Sequence, residues 1–254
     1  MGAVFAIARR DVFGFLSAPK AAGVFWVFLM LMGFFFHSFI YTYVGMQQRA
    51  PMYGGEVPGI NELLRALFQN FHFILLLIVP AVTMASFSEE KKNHSFRLLQ
   101  TSPVSSLQIV LGKYFSLVGI MTIILLCSSV YPIFTTAYGN PDVGIIWSSY
   151  LGIFLLMCSQ LAFGMWISSM TTNQFLAFLF TMFGLFMLLI LNWIAPNIGG
   201  GGNAEGMIKY IAATTHFESF LKGMISVSDV MYFVCFSAMF LFFTNVVVDS
   251  QRWR

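Results

Sequence analysis

The chain has 254 residues, of which 58% are hydrophobic, 17% aromatic and only 9% charged, with a net charge of +3. Soluble domains carry roughly a quarter of their residues as charges. This composition therefore excludes a water-soluble globular protein, whose contiguous apolar helices would have nothing to bury against. The few positive charges fall at the edges of apolar runs, which points to lipid headgroups and away from nucleic acid.

Gly2 to Leu16 sets Val4, Phe5, Ala8, Val12, Phe15 and Leu16 on one helical face with Arg9 and Arg10 beside it, the pattern of an interfacial helix within residues 1–19. No small-residue cleavage site follows the first long run, so a secretory signal is not expected. Pro19 and Lys20 break the helix before a first span, Ala21 to Val44, long enough for a hydrocarbon core of about 30 Å at about 1.5 Å per residue. Gly45 to Asn61, with Pro51, Gly54, Gly55, Pro58 and Gly59, reads as a polar loop. A second span is expected over Leu67 to Phe87, kinked by Pro80, which would free a backbone carbonyl.

Ser86 to Tyr114 is the long polar interruption that still reads as helix, and it carries Lys91, Lys92, Arg97 and Lys113. Ser86 followed by Glu89 has capping-box spacing, with a short helix expected from Glu89 to Gln100. At Thr101, Ser102 and Pro103 a bend is expected, with Ser102 as the cap and Pro103 at the first position of the next helix. The third span is expected from Ile109 to about Thr136, the fourth from Ile145 to Ser169 and the fifth from Phe175 to Ala195.

Pro196 to Asp229 is a second interruption: a glycine run, Gly199 to Gly202, then a helical-looking segment, Ala204 to Gly223. Glu205, Lys209, His216, Glu218 and Lys222 lie in that segment, and each charge at a bilayer centre costs about 2.5–3.5 kcal/mol. Residues 196–229 therefore read as a loop with an interfacial or re-entrant helix on the far side. The sixth span is Val230 to Val248. Six spans place both termini on one side, and that side collects nine of the thirteen Lys and Arg residues, so both termini and the Ser86 stretch are expected to be cytoplasmic.

The interruption after the second span resembles the cytoplasmic loop of the type-2 exporter family of ABC transporter permeases: paired acids (Glu89, Glu90), a leucine pair (Leu98, Leu99), a T-S-P-V turn (Thr101 to Val104) and a G-K pair (Gly112, Lys113). His94 stands where that family commonly has a glycine. Ser17, Ala18 and Pro19 before the Phe-rich first span are similar to the gliding-motility-associated branch, and His216, Phe217, Phe220, Gly223 and Asp229 ahead of the last span form a second stretch that resembles the family.

The resemblance implies an all-α polytopic permease subunit, a single transmembrane domain over residues 1–254, in a bacterial inner membrane. It implies a coupling region at 88–106 in which Glu89, Glu90, Lys92, His94, Phe96, Arg97, Leu98 and Leu99 meet cytoplasmic ABC ATPase subunits. A second permease chain, identical or not, and an extracytoplasmic auxiliary protein are the other implied partners. Export of a lipid-like or polymeric substrate is one implied function. A non-transporting subunit that passes ATP-driven motion to a cell-envelope machine is the alternative.

Read as residues, Glu89 and Glu90 are not an acid–base pair, because neighbours on a helix point about 100° apart. Without the resemblance they are a solvated helix start. Nothing reads G-x-x-x-x-G-K-[ST], since Gly112 and Lys113 are followed by Tyr114, so ATP and magnesium are expected on the partner ATPase and no cofactor or catalytic residue on this chain.

The remaining polar and reactive residues have structural readings. Cys127, Cys158 and Cys235 sit inside apolar runs at long spacings and form no metal set. His37 and His72 have no intramembrane acid alongside, which favours interhelical hydrogen bonding over a proton relay. Ser148 with Gly152, and Gly164 with Ser168, have the spacing for close helix contact. The His216 segment either lines a cargo exit or anchors the sixth span.

Overall fold

The computed structural model describes residues 2–53, 59–93, 104–139, 141–194 and 210–251, and every regular element among them is helical. Six helices are long and apolar enough to cross a membrane, which makes the protein a polytopic helical membrane protein. The elements are α1 (Gly2–Leu16), α2 (Pro19–Tyr53), α3 (Ile60–Thr83), α4 (Ala85–Lys92), α5 (Ser106–Cys127), α6 (Val130–Gly139), α7 (Val143–Met170), α8 (Gln174–Ile194), α9 (Ala213–Leu221) and α10 (Val227–Ser250).

α7 is the central helix, touching α3, α4, α5, α8, α9 and α10. Its sequence explains the position, because Ser148, Ser149, Gly152, Ser159, Ala162, Gly164, Ser168 and Ser169 are small and let neighbouring backbones approach. A Cβ on Gly152 would stand 2.6 Å from Phe220 Cβ, and one on Gly164 would collide with Thr83. The close-contact reading of these two pairs is borne out. α3 shares the interior with α7, 67% of each apolar window being buried, whereas α2 buries only 11% and turns Trp26, Met30 and Phe34 outward.

Several element boundaries differ from expectation. The expected loop from Gly45 is helix as far as Tyr53, because Met46 to Ala50 are good helix formers and a helix that has left the bilayer need not be apolar. Pro19 sits at the first position of α2, where its missing N–H costs nothing. Ser86 caps nothing: the chain reaches it already helical, Met84 having φ −54° and ψ −34°, so α4 continues α3 past a one-residue break. Pro80 lies inside α3, and the break falls one turn later, at Met84.

The third span is in two pieces. Ser128 and Ser129 turn their hydroxyls onto Leu125 O (2.6 Å) and Leu126 O (2.7 Å), and Pro132 follows without an N–H to continue the ladder. Its start also moves. Ser105 is the cap of the described helix, accepting from Gln108 N–H (3.3 Å) while the Gln108 side chain accepts from Ser105 N–H (3.2 Å), so the helix begins at Ser106. A reciprocal pair satisfies two orphan donors where a lone serine satisfies one. On α1 the seated residue is Ile7, against Gly112 of α5, while Phe5 and Leu16 of the predicted apolar face are exposed.

Candidate functional site

One end of the bundle gathers α1, the start of α2, α4, the start of α5 and the ends of α7 and α10. α4 is held there by two sets of contacts. The first repairs the break at Met84. Ser168 Oγ accepts from Phe87 N–H (3.2 Å) and Ser88 N–H (3.4 Å) while donating to Met84 O (3.1 Å), a carbonyl that Ser88 Oγ also reaches. Lys91 Nζ donates to Ser169 O, so α4 is fastened to the last turn of α7 at two points.

The second set is ionic and centres on Lys113, whose side chain is only 4% exposed. Its Nζ lies 2.8 Å from Glu90 Oε1, 3.5 Å from Asp11 Oδ2 and 2.8 Å from Ser86 O, and stands over the Phe87 ring at 5.2 Å from the centroid. Gly112 makes this possible: a Cβ there would stand 2.9 Å from Ile7 Cβ, so only glycine lets α1 bring Asp11 close. Arg10 Nη2 reaches Glu90 at 3.3 Å and Asp11 at 2.8 Å, and Lys20 Nζ pairs with Glu89 Oε2 at 3.0 Å. The two acids of α4 thus bind α1, α2 and α5 of their own chain. Lys92 is exposed.

Of the other residues singled out in this region, His94, Phe96, Arg97, Leu98, Leu99, Thr101, Ser102 and Pro103 lie outside the described residues. Sequence reasoning missed the pairing itself. The usable signal was Lys113, a lysine inside an otherwise apolar helix, which requires a partner.

The opposite end of the bundle is closed by α9. His216 Nδ1 is 2.6 Å from Asp229 Oδ1, on the first turn of α10, and its Nε2 is 3.0 Å from Tyr210 O. The ring stacks on Tyr232 at 4.1 Å between centroids, with the planes 19° apart. Phe217 and Phe220 are fully buried, and Ser148 Oγ donates to Phe220 O at 2.7 Å. Arg65 Nε donates to Leu221 O at 3.1 Å. Gly223, at φ 82°, ends the helix: its N–H bonds Phe220 O (3.1 Å) and Met224 N–H bonds Ser219 O (3.1 Å), a Schellman closure in which the left-handed position favours glycine. His216, Phe217, Phe220, Gly223 and Asp229 are brought together here, and His216, Phe217 and Phe220 fasten α9 to α10, α3 and α7, while Glu205 and Lys209 lie outside the described residues. No family model matches the chain, and no curated protein matches it. Its geometry therefore carries the functional reading.

Between the two ends lies a small cavity of about 10 Å3, bordered by His72, Ser159, Gln160 and Thr214 on a mostly apolar wall that includes Leu185, Leu188 and Phe236, room for about one water. His72 packs edge-on against Phe217 at 5.6 Å between ring centroids. Among the described residues no group of three or more His, Cys, Asp or Glu could hold a metal.

Proposed function

We propose that the chain is the transmembrane permease subunit of an ATP-driven ABC exporter, with α4 as the lever through which a cytoplasmic ATPase acts on the bundle. The single observation behind this reading is that α4, a short helix beyond the end of a span, is ion-paired to α1, α2 and α5 and hydrogen-bonded to α7. A displacement of α4 reaches four other helices without passing through a loop. The likeness of residues 89–113 to the type-2 exporter loop supplies the partner, and ATP and magnesium belong to that partner.

In this reading Glu89 and Glu90 pass force inward, Lys92 faces the ATPase, and both termini are cytoplasmic. α9 is a plug fastened by His216 and Asp229 at the extracytoplasmic end. Among the described residues, the cavity between the two ends has room for about one water. Cargo would move between two copies, or between this chain and a second permease. The same observation keeps alive the alternative of a subunit that transports nothing and drives a cell-envelope machine.

The test is purification of the full chain from native membranes followed by identification of co-purifying nucleotide-binding subunits. An ATPase with a phosphate loop is expected, retained by the unmodified chain and lost with Lys92→Glu. Absence of any ATPase from the native complex overturns the proposal. Vesicle uptake measured with that complex then separates export from force transmission.

A further inference from the structure

We infer that the cavity framed by α1, the start of α2, the end of α3, α4 and α5 binds one phospholipid whose headgroup carries both a phosphodiester and a primary ammonium. The cavity measures about 380 Å3 and is amphiphilic along its length. Arg10, Asp11, Lys20, Glu89, Glu90 and Lys113 line one end, and Phe15, Val82, Leu117 and Ile120 line the other. On α5 the step from Lys113 to Ile120 is seven residues, about 10 Å. That is the scale on which a lipid passes from headgroup to acyl chain. A soluble polar ligand would leave the apolar end uncovered.

The charges select the headgroup. Three cations and three carboxylates cancel, so the site does not favour a purely anionic ligand. The six are not equally available. Lys113 and Glu90 are turned inward onto each other, 4% and 19% exposed, whereas Arg10, Lys20 and Glu89 are 55%, 49% and 40% exposed. The available set is therefore two cations and one carboxylate at the mouth. Arg10 and Lys20 suit a phosphodiester, and Glu89 can accept from an ammonium that has N–H groups to donate. A quaternary ammonium has none. Lys20 and Glu89 bridge the mouth at 3.0 Å, and an exposed pair gains so little from its own contact that a zwitterion can insert between them and replace one contact with two.

This inference does not depend on an ATPase, on transport or on which face is cytoplasmic, because headgroups line both surfaces of a bilayer. It is tested on the purified, delipidated full chain by native mass spectrometry. The probes are phosphatidylethanolamine, phosphatidylglycerol and phosphatidylcholine of matched acyl chains, with soluble glycerophosphoethanolamine as a fourth. Phosphatidylethanolamine is expected to be retained about tenfold better than the other two lipids, a difference of about 1.4 kcal/mol. Glycerophosphoethanolamine is expected to bind far more weakly than the lipid.

Lys20→Gln should lower retention of phosphatidylethanolamine, and Glu89→Gln should erase its advantage over phosphatidylcholine. Both side chains are exposed, so neither change threatens the fold. Glu62→Gln, at the opposite end, should change nothing. Equal retention of the three lipids, or a preference that survives both Lys20→Gln and Glu89→Gln, overturns the proposal. So does binding of glycerophosphoethanolamine as tight as that of the lipid.

Discussion

Ser168 bonds backbone outside its own helix at three atoms, whereas Ser159 and Ser169 on the same helix each send a hydroxyl back to a carbonyl three residues earlier. The difference has an energetic consequence. Ser168→Ala removes three hydrogen bonds between α7 and the α3–α4 break, at about 1–3 kcal/mol in all, while Ser159→Ala removes only a bond within its own turn and should cost under about 1 kcal/mol. Thermal unfolding of the two variants in one detergent measures the contrast, and equal melting temperatures would mean that Ser168 does not mend the break. The sequence marks Ser168 as small, and small it is. What it could not reveal is the demand for a hydroxyl, because that demand is created by Met84 in a different element, 84 positions away.

At the scale of elements, the two acids of α4 look alike in the sequence and differ in the fold. Glu90 is 19% exposed and serves a buried lysine, while Glu89 is 40% exposed and serves an exposed one. Charged hydrogen bonds in buried settings are worth about 1.5–3 kcal/mol, and exposed pairs under about 1 kcal/mol. Glu90→Gln should therefore destabilise the chain by about 2 kcal/mol and Glu89→Gln by less than about 1 kcal/mol, as read by chemical unfolding in mixed micelles. If both variants unfold alike, Lys113 is not the hub of the junction.

α9 admits a parallel test. Combining His216→Ala with Asp229→Ala should cost less than the sum of the singles, with a coupling of about 1 kcal/mol or more, because either single change leaves the other polar group buried. Protease cleavage within α9 reports it. A helix stopped by Gly223 was legible, since His216, Phe217, Phe220 and Gly223 fall at turn spacing, but its start was read at Ala204 where the described helix begins at Ala213. The ends of the long helices were less so. Hydropathy marks where a helix leaves the hydrocarbon, not where it unwinds, so α2 runs on to Tyr53 and the third span breaks at Ser128 inside an apolar window.

Across the whole molecule, six apolar windows were enough to read an all-α membrane protein, but similar windows do not reveal which helix lies beside which. The neighbours are declared by the sparse charges and small residues: Arg10 meets Glu90 across 80 positions, Lys113 meets Asp11 across 102, and Gly112 admits Ile7. Such pairings have no local signal. They do make sidedness testable, because Asn93 lies at the α4 end and Lys222 at the α9 end, and both are exposed. In a background with Cys127, Cys158 and Cys235 replaced by alanine, Asn93→Cys should react with a membrane-impermeant maleimide only after the cells are opened. Lys222→Cys should react while they are intact. The positive-inside asymmetry requires this order, since the Lys- and Arg-rich loops stay on the synthetic side of the bilayer. The reverse order would put α4 outside the cell, beyond reach of any ATPase. It would remove the lever reading while leaving the ionic junction and its lipid cavity intact.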